Sequence, residues 1–353
     1  MQVLNIPTAN GNPYQRNLMY RCAQDRVAFV GGGKDALLSL DAAEHPVTHL
    51  HWDDRIFGRD ADAQKNANLL REAEQSIDSY RVQGGRLVWT IHNARPHKVI
   101  NLDGFLQARQ SLVKRADAIH VHAPHARDHM ISEYGADPSR IHVISHPSYL
   151  GSYEPQEVTL VRPMPDRSPT TFLFFGMFRG EKGAERIRDA AAKLTKRDHD
   201  YRLNMYGKAF GSQRRLLRRL GWNENISLRT DRIPDEEIPE IFSKAHFFLA
   251  PYSELFSSGT VSLALSFGLP IIGPALREMK EITPPELHET TLFDPSLPRG
   301  LIRAMIRSLQ METSEYQRLR QACLNHAQTH APEVISPKLM NILIEHQPDR
   351  PTI

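Results

Sequence analysis

Cysteine is scarce in this chain. Cys22 and Cys323 are the only two in 353 residues, too few and too far apart for a disulfide framework, which points to a reducing cytosol. Long apolar runs are also missing: nothing approaches the roughly eighteen residues that cross a bilayer. The opening MQVLNIPTAN has neither the basic nor the apolar region of a signal peptide. A cytoplasmic location is therefore expected, with at most a peripheral contact on the inner face of the plasma membrane. Neither sign of charge dominates. With 44 Lys+Arg against 41 Asp+Glu and a net charge of +3, the balance excludes a nucleic-acid signature but leaves room for an anionic ligand or membrane surface. Two nucleotide motifs are absent as well. GxxxxGK[ST] does not occur, GxGxxG does not follow the first strand, and Gly31-Gly32-Gly33-Lys34 fits neither.

What is present is a repeated theme of short apolar runs that end in loops rich in Asn, His or Asp. Runs at 3–6, 27–30, 48–51, 87–91, 118–121 and 141–144 end respectively near Gly11-Asn12-Pro13-Tyr14, Gly31, Trp52-Asp53-Asp54, His92-Asn93, His122 and His146. Segments of helical composition at 61–83 and 102–114 lie between several of them. Four prolines (Pro155, Pro163, Pro165, Pro169) mark 153–169 as an interdomain linker, and beyond it strands and helices alternate again. Alternation of this kind predicts an α/β chain of two Rossmann-like domains, each a parallel sheet, facing across a cleft. Their expected bounds are 1–152 and 170–332, and polar residues just past strand ends place a functional rim there.

Two stretches carry chemistry. Residues 251–274, PYSELFSSGTVSLALSFGLPIIGP, read as strand end, Ser/Gly/Thr loop, helix, Gly stop and strand. Main-chain N–H groups at such a helix start can hold a phosphate, although simple capping accounts for the Ser and Thr equally well. Residues 174–187, FFGMFRGEKGAERI, place Arg179 and Lys182 in a Gly-bounded loop before a helix, where a bidentate and a point cation suit a diphosphate. A solvated turn is the alternative. His120, His122, His125 and His129 span a strand end, a turn and a helix start, so no metal is expected on them. Arg214, Arg215, Arg218 and Arg219 suit a solvated helix face or an anionic lipid surface.

The order of these parts resembles a glycosyltransferase of the GT-B architecture. The parts are a Gly-rich loop, Thr-x-His at 90–92, Gly-x-x-Arg-x-x-Lys-Gly at 176–183, and Pro-Tyr, Ser-Gly and Gly-x-Pro across 251–270. Asn12-Pro13-Tyr14, His51-Trp52 and His92-Asn93 are more narrowly similar to bacterial exopolysaccharide enzymes of the xanthan β-mannosyltransferase type. The resemblance implies that Arg179, Lys182, Ser258, Gly259 and Thr260 hold the donor diphosphate. It puts the nucleoside at Arg232 and Ile233, and His92 beside the donor sugar. Gly11, Asn12, Tyr14, Trp52 and Asn93 fall on the acceptor or sugar side. A last helix over 333–347 would cross back onto the first domain, and no cofactor or metal is needed, because cations and helix ends neutralise the leaving diphosphate.

Many retaining members of the group it resembles carry two glutamates, eight positions apart, around the sugar and ribose, and the matching positions here are Leu255 and Leu263. Glu254, one place out of register, is left for the ribose. An inverting enzyme also needs a base for the acceptor hydroxyl, and Asp53 is expected in that role. The resulting expectation is transfer of mannose from GDP-mannose, with inversion, to a lipid-linked or surface polysaccharide acceptor. A retaining UDP-sugar hexosyltransferase and a nucleotide-sugar-binding protein without activity are the alternatives.

Overall fold

The computed structural model describes residues 1–9, 11–96, 100–219 and 224–344. The chain divides into two compact units, Met1–Pro147 with Pro332–Ile353, and Ser148–Ala331.

The first unit is built on six parallel strands, β1 Gln2–Ile6, β2 Ala28–Gly31, β3 Val47–Leu50, β4 Arg86–Thr90, β5 Ala118–Val121 and β6 Ile141–Val143, in the order β2-β1-β3-β4-β5-β6. Central strands covered on both faces must be apolar throughout, and β3 and β5 are buried along their whole length. Helix Ala63–Val82 starts where the Asp62 carboxylate accepts from the N–H groups of Gln64 and Lys65. It turns Ala73, Ile77 and Tyr80 inward at helical spacing. The last helix, Pro332–Ile344, packs Ile335, Leu339, Met340 and Leu343 against Val3, Tyr14, Leu18 and Val88, as expected of the segment 333–347. Its expected last residues, 345–347, lie outside the described residues.

Five parallel strands form the second sheet: β7 Thr170–Phe175, β8 Tyr201–Tyr206, β9 Ile226–Arg229, β10 Phe247–Leu249 and β11 Ile271–Ile272, in the order β11-β10-β7-β8-β9. Its core is aromatic. Phe172, Phe174, Phe242, Phe247 and Phe248 are fully buried. The stretch expected to be a linker is instead part of this unit. It forms a helix, Gln156–Val161, and Glu154 accepts hydrogen bonds from Thr159 and Arg162 while the Arg162 carbonyl accepts from Arg320. The prolines interrupt periodicity there without freeing the chain.

Both sheets reverse strand order once, between β1 and β3 in the first and between β7 and β10 in the second. At such a switch point the loops leaving the carboxyl ends diverge and open a crevice. The segments after β1 and β3 carry Asn12, Trp52 and, at the start of helix Tyr14–Leu18, Tyr14, and those after β7 and β10 carry Arg179, Lys182 and Ser258.

Candidate functional site

In the second unit, close approach of main chain builds the switch-point crevice. Gly207 has φ 149°, and a Cβ there would lie 1.7 Å from the Gly176 carbonyl oxygen. A Cβ on Gly183, at φ 73°, would lie 2.7 Å from the Pro251 carbonyl. Only glycine fits either place. The loop after β7 is thereby pressed against the end of β10, and the Ser253 N–H donates to the Glu181 carbonyl at 2.9 Å.

This packing gathers the phosphate-binding candidates. Lys182 Nζ stands 3.6 Å from the Tyr252 ring centroid, a cation–π contact. The Tyr252 hydroxyl is 3.0 Å from Thr260 Oγ1, which lies 3.1 Å from Ser258 Oγ. Ser258 caps helix Gly259–Ser266 by accepting from the Val261 N–H at 3.3 Å. The Gly259 and Thr260 N–H groups make no hydrogen bond within the described residues, leaving the helix's positive end available to an anion. Arg179 lines a neighbouring cavity of about 260 Å³ with Gly183, Gln213 and Ser253, its guanidinium 3.9 Å from the Glu181 carboxylate.

The nucleoside candidates are not drawn into this group. Arg232 is largely exposed and lies 3.6 Å from Asp235, Ile233 is buried, and Glu254 is exposed. Leu263 is 4% exposed and Leu255 packs on the same core. Both leucines therefore serve packing.

In the first unit the carboxyl rim is a buried stack of rings. Trp52 lies flat on His92 at 4.4 Å, and the Tyr14 ring contacts His51, Trp52, His92, His122 and His146. Trp52 holds a left-handed conformation, φ 37°, a strained placement that turns its indole onto the histidines. His51 Nδ1 is 3.1 Å from His92 Nε2.

Carbonyl acceptors fix the tautomers beneath this stack. The Ile144 carbonyl can only accept, so His120 Nε2 donates to it at 2.8 Å, leaving His120 Nδ1 to accept from Thr90 Oγ1 at 3.0 Å. Thr90 Oγ1 then accepts from His49 Nε2 at 2.8 Å. By the same reasoning His122 Nδ1 donates to the Ile144 carbonyl, and its Nε2 accepts from the Tyr14 hydroxyl at 2.9 Å. These assignments require neutral rings, and the environment supplies them. Burial, with neighbouring histidines adding to it, pushes His49 down to about 3 and holds His51 and His92 well below the ordinary histidine range. His120 falls to about 4 through burial, which outweighs its bond to Ile144. Among the described residues, no three His, Cys, Asp or Glu side chains are grouped to hold a metal ion.

Asp53 is not available as expected. Arg109 Nε donates to Asp53 Oδ2 at 2.7 Å and Nη2 to Oδ1 at 3.3 Å, with side-chain exposures of 1% and 2%. The same guanidinium donates to the Asn93 and Ala94 carbonyls at 2.6 and 2.8 Å. Asp53 thus fixes the loop bearing Asn93 through a buried, bidentate pair, and both of its oxygens are taken up. Gly11 and Asn12 are exposed, Asn12 Oδ1 accepting from the Tyr14 N–H at 3.0 Å. Arg109 had a readable signal, a charge on the face of a helix that otherwise turns Phe105, Ala108 and Leu112 inward. Thr90 and Tyr252 lie inside the Thr-x-His and Pro-Tyr motifs, which gave neither of them a role of its own.

The family model for glycosyl transferases group 1 matches residues 169–311, which contain the whole Lys182–Tyr252–Thr260 assembly. Residues 169–311 are a glycosyl transferases group 1 domain. A GDP-mannose:glycolipid 4-beta-D-mannosyltransferase of Xanthomonas campestris pv. campestris is 26% identical to the chain over 276 residues, 76% of this chain and 71% of that protein. Among solved structures, HepE of Anabaena in complex with UDP-glucose superposes with a TM-score of 0.70 at 14% identity, covering 98% of this chain and 100% of that one. Sucrose-phosphate synthase of Thermosynechococcus elongatus does so at 0.71 and 15%, covering 97% and 98%. The two-sheet α/β architecture is that of GT-B glycosyltransferases. The group 1 domain supports glycosyltransferase activity. No helix among the described residues is long and apolar enough to cross a membrane.

Proposed function

We propose that the chain transfers mannose from GDP-mannose to a glycan or glycolipid acceptor with inversion. One observation carries the donor site: Lys182, Tyr252, Thr260 and Ser258 are linked side chain to side chain at the open N-terminus of helix Gly259–Ser266. A cation, hydroxyls and unpaired N–H groups at one switch point suit a diphosphate. Arg179 adds a second cation from the same loop.

The guanine base and the mannose rest on the relative from Xanthomonas campestris, whose name states both. Inversion rests on Leu255 and Leu263, which leave no carboxylates at the positions that retaining relatives use. With Asp53 held by Arg109, the acceptor base falls to His92, backed by His51 and stacked on Trp52. In that role the His92 imidazole takes the acceptor hydroxyl proton as the hydroxyl oxygen bonds to the anomeric carbon and the bond from that carbon to the GDP oxygen breaks. Tyr14, Trp52, Asn93, Gly11 and Asn12 line the acceptor side. The reaction needs no metal, since Lys182, Arg179 and the helix end carry the developing charge on the leaving diphosphate. A lipid-linked acceptor would bring the chain to the cytoplasmic face of a membrane.

A UDP-sugar donor is the second reading, favoured by neighbours solved with UDP and UDP-glucose. Calorimetric titration with GDP-mannose and UDP-glucose separates the two. The proposal expects GDP-mannose to bind at least about tenfold more tightly, and the reverse preference would overturn it.

A further inference from the structure

Tyr252 also lines a cavity of about 410 Å³ in the second unit that the donor reading does not use. Its walls are apolar: Leu276, Phe293, Leu297, Leu301 and Ile302 all face it. Leu297 is 50% exposed there, an unsheltered apolar surface at a concave place.

Three cations stand on the lining, Arg186 and Lys193 from helix Ala184–Thr195 and Arg299 from the turn before helix Gly300–Gln310. No ion pair involves any of them among the described residues. Asp189, the only carboxylate on the lining, is bonded to Arg188 Nε at 2.8 Å. The cavity therefore presents uncompensated positive charge beside apolar walls.

Arg299 adds an independent sign. Its backbone is left-handed, φ 66° and ψ 21°, which costs a non-glycine residue on the order of 1 kcal/mol. Glycine at this turn would remove the strain, so an arginine held there against its conformational preference points to a use for the guanidinium.

We propose that this cavity binds a single phosphate-bearing alkyl chain, the chain against Leu276, Leu297 and Ile302 and the phosphate on Arg186, Lys193 and Arg299. A cavity of this volume suits one small molecule. The proposal stands on the cavity alone and does not depend on the donor reading.

The test is calorimetric titration of the full chain with butyl, hexyl and octyl phosphate below their micellar concentrations, with inorganic phosphate and octyl glucoside as controls. Affinity is expected to rise with each added methylene, by up to about fourfold, and the two controls to bind at least about tenfold more weakly than octyl phosphate. Lys193→Gln with Arg299→Gln should weaken octyl phosphate by about tenfold or more, while GDP and UDP binding stays unchanged. Arg299→Gly relieves the strained turn, so it keeps the fold while weakening octyl phosphate several-fold, and it carries the test if the double variant does not fold. Octyl glucoside binding as tightly would mean an apolar pocket only. Inorganic phosphate binding as tightly would mean a bare anion site. Either result, or unchanged affinity in the variants, overturns the proposal.

Discussion

Both oxygens of Asp53 accept from the guanidinium of Arg109, and neither side chain reaches solvent. A buried pair of this kind is weak evidence for net stability, but breaking it strands a charge. Asp53→Asn should therefore cost about 3–5 kcal/mol in chemical denaturation. The fraction that remains folded should keep its transfer rate. Loss of turnover in protein of unchanged stability would return Asp53 to a catalytic role.

Lys182 is expected to dominate diphosphate affinity. Its replacement by Ala removes a charge-assisted contact worth about 1.5–3 kcal/mol, so GDP should bind roughly tenfold to a hundredfold more weakly in titration. Tyr252→Phe keeps the ring under Lys182 and removes only the bond to Thr260, so a loss below about tenfold is expected. Equal losses in the two variants would contradict this division of labour.

Gly207 tests the geometry behind the crevice. A Cβ would meet the Gly176 carbonyl at 1.7 Å in a positive-φ conformation, a clash of main chain that no rotamer relieves. Gly207→Ala should lower stability by more than about 1 kcal/mol and weaken nucleotide binding as the loop after β7 moves. Unchanged GDP affinity in this variant would show that the crevice does not depend on that contact.

The buried histidines make acid stability predictable. Their folded-state affinities for protons are depressed, His49 to about 3 and His120 to about 4 against an ordinary value of 6.5, so below that value the unfolded chain binds more protons than the fold. Stability then falls with pH from about 6.5 down to about 4, by about 1.4 kcal/mol per pH unit for each histidine that stays neutral in the fold. His120→Gln should flatten that slope in denaturation curves between pH 4 and 7, while an unchanged slope would place the linkage elsewhere.

How much of this was legible in sequence depended on the range of the interaction. The two parallel sheets, the helix that returns to the first unit and the gathering of Lys182 with Ser258 and Thr260 all follow from local pattern: apolar runs, glycines at strand ends and a capped helix start. Asp53 was misassigned because its partner Arg109 is 56 residues away, and spacing does not reveal a pairing that only the strand order creates. The linker failed for a related reason, since prolines mark broken periodicity whether or not Glu154 and Arg162 tie the segment down. The histidines were visible one by one, but their tautomers depend on the Ile144 carbonyl and Thr90, contacts across neighbouring strands.

The central claim is that the loop bearing Lys182 and the helix start at Ser258–Thr260 hold the donor's diphosphate. The most direct measurement is calorimetric titration of wild type and Lys182→Ala with GDP-mannose, followed by acceptor-dependent release of GDP. The account predicts micromolar-range binding on the order of 8 kcal/mol in the wild type, at least about tenfold weaker in Lys182→Ala, and GDP release only when acceptor is present. Equal affinity in the two proteins would contradict it.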